Sequence, residues 1–241
     1  MFRISFSNET ESTNDDAAKL LGRDDSAGLV LVTDFQRSGR GRRERRWIAP
    51  PGSSLLFTAI LPRPLSTSSL WALPFWTALG VAEGIEAATG LRAALQWPND
   101  LLLGGRKCCG ILCISRVNGE RAWAACGVGC NILRPADESL GAIEPAPAFL
   151  SDEAPGVERG PVLKAILAAF ARASDDVDRP DDVARRWEQR AELAGTSYRL
   201  LPEGGTPFTA TAKRLGPEGE LVVEDDGDER VVALADVRVL R

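Results

Sequence analysis

Asn118-Gly119 stands between two long apolar runs, Lys107–Val117 and Arg121–Asn131, and no other feature of the chain restricts its fold as strongly. Asn-Gly favours the positive-φ backbone of a tight reversal, so the two runs read as one long antiparallel hairpin. Leu29–Val32 and Leu55–Leu61 are further strand candidates, and Leu95–Leu103, interrupted by Pro98-Asn99-Asp100, reads as strand, turn, strand. Helical signals alternate with these. Ser12-Thr13-Asn14-Asp15 has the form of a capping box before a short helix that stops at Gly22. Apolar residues recur at helical spacing from Ser69 to Gly90, with Pro74 leaving the start open. Two amphipathic helices are expected over Pro161–Ser174 and Asp181–Leu193, after a long Pro- and Ala-rich loop from Pro135 to Pro161. Beyond Gly195 the texture changes to short alternating segments: Ser197–Leu201, Phe208–Leu215, Leu221–Glu224, Arg230–Leu234 and Val237–Leu240. The expected architecture is α+β, a mixed β-sheet with flanking helices over residues 1–194 and a small β-barrel over 195–241.

Composition excludes several chemistries. The chain contains no histidine, which removes Ser-His-Asp and Cys-His catalysis, histidine general bases and His-bearing zinc sites. A formal net charge of −5 argues against non-specific coating of nucleic acid. Cys108, Cys109, Cys113, Cys126 and Cys130 form no C-x-x-C pair and fall in apolar strand-like segments, so they read as reduced, buried small hydrophobes rather than zinc ligands. No apolar run is long enough to span a membrane and no signal peptide is visible. A cytoplasmic protein with no membrane partner is expected. The first strand–helix unit begins almost at residue 1, so no N-terminal DNA-binding domain is expected.

Three segments carry chemistry. Gln36-Arg37-Ser38-Gly39-Arg40-Gly41-Arg42-Arg43-Glu44-Arg45-Arg46-Trp47 joins guanidinium groups to glycines that allow close backbone approach, and Trp47 can stack on a heterocycle. By itself it fits a small-anion site, a nucleic-acid contact or a solvated loop. Trp97-Pro98-Asn99-Asp100 is either an ordinary turn or a ligand-facing one, and Lys107 follows it beyond a Gly104-Gly105 turn. If that segment is a hairpin, Asp100 and Lys107 return to the same end of the sheet, where the lysine can neutralise approaching anions; otherwise Lys107 is a surface residue. Gly127-Val128-Gly129-Cys130-Asn131 ends a strand with two glycines, a close-approach site or simply a bulge.

In order and spacing, Ser12-Thr13-Asn14, Gln36 with Gly39-Arg40-Gly41-Arg42 and Trp47, Trp97-Pro98-Asn99-Asp100, Arg106-Lys107 with Gly110-Ile111-Leu112, and Gly127-x-Gly129-x-Asn131 resemble the catalytic domain of biotin–protein ligases. The resemblance runs from about residue 6 to the C-terminus. It implies a fold akin to class II aminoacyl-tRNA synthetases with an SH3-like C-terminal part. It implies a two-step reaction: biotin and MgATP give biotinyl-5′-AMP, and a lysine of a biotin carboxyl carrier domain then takes the biotinyl group. By the same resemblance, Ser12, Thr13, Asn14, Gln36, Gly39, Arg40 and Gly110 bind biotin. Arg42, Trp47, Asn99, Lys107 and Asn131 bind ATP or the adenylate, and Arg42, Lys107 and Asp100 serve catalysis. Mg²⁺ would come with the ATP phosphates near Asn99, without direct protein ligands. The arginine loop would be mobile when empty and fold over the adenylate. The implied protein is a monomer or homodimer that does not bind DNA. A lipoate or octanoate ligase of the same fold and a non-catalytic biotin binder are the competing readings. Glu44 and Gln96 depart from the family pattern, which has glycine and lysine there, and Cys108-Cys109 is an unusual filling after Lys107.

Overall fold

The computed structural model describes residues 1–43, 45–136, 144–233 and 237–240. β1 (Arg3–Thr10), α1 (Thr13–Leu20) and β2 (Leu29–Gln36) open the chain, and β1 pairs with β2 in parallel. A parallel pair needs a crossover, and α1 supplies it. β3 (Ser54–Ile60) runs antiparallel to β2 and to β8 (Arg121–Asn131), which pairs with β7 (Arg106–Asn118). β6 (Asp100–Leu103) and β5 (Ala94–Gln96) complete the order β1-β2-β3-β8-β7-β6-β5, and the short β4 (Leu65–Ser66) pairs with β8. The expected hairpin is present, in register from Cys109↔Cys130 to Asn118↔Arg121.

α2 (Leu73–Thr89), α3 (Arg159–Arg172) and α4 (Pro180–Ala191) pack together against the sheet. α2 buries residues around its whole circumference, from Phe75 and Trp76 to Val81 and Ile85, because it lies between the sheet and the other helices. A 3₁₀ turn over Thr67–Ala72 leads into it, Pro74 occupies its first turn, and Gly90 ends it with φ of +75°. α1 has its own small core, in which Ala17 and Leu21 meet Ile60 and Ala125. The expected capping box is absent: Ser12 occupies the N-cap position, but its side chain makes no capping hydrogen bond. The long loop after Pro135 lies partly outside the described residues. Its remainder holds a 3₁₀ turn at Leu150–Asp152, and α3 starts at Arg159, slightly earlier than periodicity suggested.

β9 (Ser197–Pro202), β10 (Phe208–Leu215), β11 (Leu221–Asp225), β12 (Asp228–Val232) and β13 (Val237–Leu240) form a separate antiparallel sheet in the order β12-β11-β10-β9-β13, consistent with the SH3-like arrangement expected. Leu234, the expected end of the fourth strand, lies outside the described residues. Trp97 joins this sheet to the rest. Its indole Nε1 donates to the Gly219 carbonyl at 3.0 Å, and its backbone N–H donates to the Tyr198 hydroxyl at 3.2 Å. Glu188 of α4 accepts the Leu215 N–H. One hydrophobic core runs from Phe57 and Ile85 through Trp97 to Tyr198 and Val223.

Candidate active site

A cleft of about 340 Å³ opens on the sheet face opposite α2. Its floor is β7 and β8, where Gly110 lies across from Gly129 and Leu112 from Gly127. The absence of side chains is essential there. A Cβ on Gly129 would lie 2.6 Å from the Trp47 ring, and one on Gly110 would lie 2.9 Å from the same ring and 3.0 Å from Lys107 Nζ. The glycines thus let an aromatic ring rest directly against the backbone. The Trp47 ring occupies the apolar glycine floor of a narrow slot, and a ligand reaches that floor only where the ring moves off it.

At one end of the slot lies a closed polar cluster. Thr13 at the start of α1 donates its backbone N–H (2.8 Å) and hydroxyl (3.0 Å) to Gln36 Oε1 at the end of β2. Thr58 Oγ1 lies 2.8 Å from Thr13 Oγ1 and 2.7 Å from Asn14 Oδ1. Ser12 is buried beside them and lines the cleft. Asn14 is a strut: its Nδ2 donates to the Leu112 carbonyl at 3.0 Å, and its amide rests on Gly127.

The other end is charged. Lys107 Nζ sits 2.5 Å from Asp100 Oδ1 and 5.4 Å from the centre of the Trp47 ring. Asn99 is held by reciprocal bonds to Ile111, its carbonyl accepting the Ile111 N–H at 3.0 Å and its Nδ2 donating to the Ile111 carbonyl at 2.5 Å. Its Oδ1 is thereby aimed at Arg42, whose Nη1 lies 3.5 Å away. Burial, followed by the nearby Arg43, pushes the Arg42 guanidinium below its ordinary pKa, while Asp100 pulls the other way. A bound anion would relieve both unfavourable effects, which marks this end as anion-accepting.

Lys107 reaches the slot because of a bulge. Leu101 pairs with Cys109 but Leu102 pairs with Lys107, so Cys108 is an extra residue in β7. Regular alternation from Gly110 would put residue 108 on the cleft face and residue 107 on the core face. The bulge reverses this, sending Lys107 over Gly110 and burying both Cys108 and Cys109 completely. The adjacent cysteines are thus the mark of a re-aimed lysine.

The arginine loop closes the slot as a small hairpin. Trp47 N–H donates to the Gly39 carbonyl (2.8 Å), Gly41 N–H to the Arg45 carbonyl (2.7 Å), and Arg40 bridges to Arg46. Gly39 is required by close approach, since a Cβ there would lie 2.5 Å from the Trp47 carbonyl oxygen. Arg40 pairs with Asp15 of α1 at 3.0 Å, and Arg42, Arg43, Arg45 and Arg46 line the mouth. Glu44 lies outside the described residues. Asn131 is at the rim with its amide engaged: Nδ2 donates to the Ala148 carbonyl at 3.1 Å and Oδ1 accepts from Ser54 at 3.3 Å.

The structure therefore brings the expected site residues to one cleft, except Gly39, which packs behind the Trp47 backbone, and adds some that sequence reasoning missed. Thr58, Pro147 and Phe149 belong to or adjoin the cleft, as do Val237, Arg238 and Val239 from β13. Thr58 hides in an apolar strand, and β13 arrives only through its pairing with β9, which no local signal announces. Among the described residues no group of three or more Asp, Glu or Cys side chains could hold a metal ion, and Asp100 is occupied by Lys107. No helix of the described residues is long and apolar enough to cross a membrane.

Comparison with known proteins gives a consistent result. Residues 6–131 match the model of the Biotin/lipoate A/B protein ligase family. The biotin--[acetyl-CoA-carboxylase] ligase of Paracoccus denitrificans is 31% identical over 240 residues, covering 95% of this chain and 97% of its own. The bifunctional ligase/repressor BirA of Bacillus spizizenii is 29% identical over 233 residues, 95% of this chain and 71% of that protein. The biotin protein ligase from Aquifex aeolicus in complex with biotin and ATP shares the fold, with a TM-score of 0.79 and 22% identity over 99% of each chain. With the family model matching more than half of the sequence, this chain belongs to the biotin/lipoate A/B protein ligase family.

Proposed function

We propose that this chain is a biotin–protein ligase, which joins biotin to ATP as biotinyl-5′-AMP with release of pyrophosphate and then passes the biotinyl group to a lysine of a biotin carboxyl carrier domain. The observation that carries this reading is the slot itself. A closed polar pocket, a smooth glycine floor beneath Trp47 and a Lys107–Arg42 end follow one another along one line. They fit a polar ureido ring, an apolar acyl chain and a carboxylate meeting a phosphate, in that order. The Paracoccus relative, similar over nearly its whole length, is named for biotin rather than lipoate.

In this reading Ser12, Thr13, Gln36, Gly39 and the Arg40 backbone hold the ureido ring, and Asn14 fixes their spacing. Gly110 and Gly129 seat the acyl chain. Trp47 lifts from the two glycines and covers that chain rather than contacting adenine, which lies towards Asn131 and the β13 rim. Lys107 and Arg42 draw the carboxylate and α-phosphate together, and Asp100 holds Lys107 until the anions arrive and then helps orient the acceptor lysine. Adenylation joins two anions, so positive charge and position matter more than a base, which suits a chain without histidine. Mg²⁺ travels with the ATP phosphates past Asn99. The arginine hairpin opens for substrate and closes over the adenylate, excluding water. Residues 1–194 form the catalytic part and 195–241 the SH3-like part. An ATP-dependent reaction, reduced thiols and net negative charge suit the cytoplasm and a protein partner rather than DNA.

The test is exchange of labelled pyrophosphate into ATP, run with biotin, lipoate and octanoate in parallel. Exchange with biotin alone is expected. Exchange with lipoate or octanoate alone reassigns the substrate, and a folded protein that exchanges with none of them is not a ligase.

A further inference from the structure

Asp152, at the end of the 3₁₀ turn before α3, gathers the chain that walls the cleft beside Asn131. Its carboxylate takes both arms of the Arg134 fork, Nε on Oδ1 and Nη2 on Oδ2, each at 2.6 Å. Oδ2 also accepts the Phe149 N–H at 3.1 Å and lies 3.6 Å from Arg106 Nη2. Arg134 stands 4.7 Å over the buried Phe149 ring, and Arg106 donates to the Pro147 carbonyl at 3.3 Å. A bidentate pair fixes direction as well as distance, and what it fixes here is the residue between Pro147 and Phe149. The Ala148 N–H donates to the Lys107 carbonyl at 2.9 Å, and the Ala148 carbonyl accepts from Asn131 Nδ2 at 3.1 Å. From the other side, Ser54 Oγ donates to Asn131 Oδ1 at 3.3 Å. With one donor and one acceptor committed, the Asn131 amide has a single orientation. One Nδ2 hydrogen and one Oδ1 lone pair remain for a ligand in the cleft that Asn131 lines.

We propose that Asp152 is a positioning residue for base selectivity: acting through Ala148, it locks the Asn131 amide in the orientation that accepts adenine and rejects guanine. The inference rests on the reading that adenine lies towards Asn131. Adenine carries an N6 donor where guanine carries an O6 acceptor. A locked amide with Oδ1 turned to that position accepts from N6 and repels O6. An amide free to turn over exchanges Oδ1 for Nδ2 and meets either base. Ala148 contributes only backbone groups, which no side-chain substitution removes, so Asp152 is where the lock can be opened. It acts without touching the base.

The experiment is titration calorimetry of ATP, GTP and biotin with the full chain, which reads binding without turnover. The wild-type protein is expected to prefer ATP to GTP. Asp152→Asn keeps an oxygen for the Phe149 N–H but loses the charge. It should cut the ATP preference about tenfold, with the Kd for biotin unchanged. Arg134→Gln, which opens the same pair from the other side, should do the same. Asn131→Ala should also cut the preference, and adding Asp152→Asn to it should cut it no further. Circular dichroism melts check that each variant folds. No preference in the wild type, an undiminished preference in folded Asp152→Asn and Arg134→Gln, or an equal loss of biotin affinity overturns the lock. Additive losses in the double variant overturn the path through Asn131. A preference for ATP that responds to Asp152, in a protein without pyrophosphate exchange, supports the lock and overturns the ligase reading instead.

Discussion

The two faces of the β7–β8 hairpin make opposite demands on the same residues of backbone. On the cleft face stand Gly110, Leu112, Gly127 and Gly129, and on the core face Cys109, Ile111, Cys113, Cys126, Val128 and Cys130. Across the strands the cysteines oppose each other, Cys109 to Cys130 and Cys113 to Cys126. Contact between thiols, together with burial, pushes Cys126 and Cys130 well above the ordinary cysteine pKa, and burial does the same for Cys108. These thiols are neutral packing groups. One face is therefore shaped by what must be absent so that a ligand can approach, and the other by what must be present to fill space beneath α2. Substitutions on the first face should abolish chemistry and spare the fold; on the second they should do the reverse.

The strongest way to break this contrast is to change which face a residue occupies. Inserting one alanine between Leu101 and Leu102 gives Cys108 a partner across the strands, removes the bulge and turns Lys107 to the core side. Single-turnover formation of biotinyl-adenylate should fall about a thousandfold, as for removal of a transition-state charge, whereas Cys108→Ala should keep most of it. Equal loss in both would show that the cysteine rather than the register matters. Gly129→Val comes next. Its side chain meets Trp47, so adenylate formation should fall about a hundredfold, near 2.7 kcal/mol of barrier, with the melting temperature little changed. An undiminished rate would mean that the slot is not where the acyl chain lies. The smallest effect on chemistry belongs to the core face. Cys130→Ser buries a hydroxyl in an apolar site and should cost about 1–3 kcal/mol in urea unfolding, with adenylation per folded molecule nearly unaltered.

Much of this was legible from residues alone, because local rules govern it. Asn118-Gly119 specified the hairpin, Gly90 the end of α2, and the spacing of Lys107 from Asp100 their meeting across a turn. The bulge was not legible, since adjacent cysteines look like any apolar pair until the register with Leu101 and Leu102 is known. Asn14 and Asn131 were expected to contact ligand, and sequence could not show that their amides are held by Leu112 and Ala148, partners distant along the chain. Ser12 looked like a capping side chain because its neighbours fit that pattern. The structure instead pairs Asp15, three residues on, with Arg40 of the loop. The rim from β13 depends on the packing of one sheet against another, which periodicity does not encode.

Trp97 lies immediately before the turn that carries Asn99 and Asp100, yet its indole and backbone are bonded to Gly219 and Tyr198 in the smaller sheet. Detaching that sheet would strand an indole N–H and expose a fully buried ring, so the two sheets are expected to melt in a single cooperative transition. Heat cannot then peel away the C-terminal strands while leaving an intact catalytic half behind.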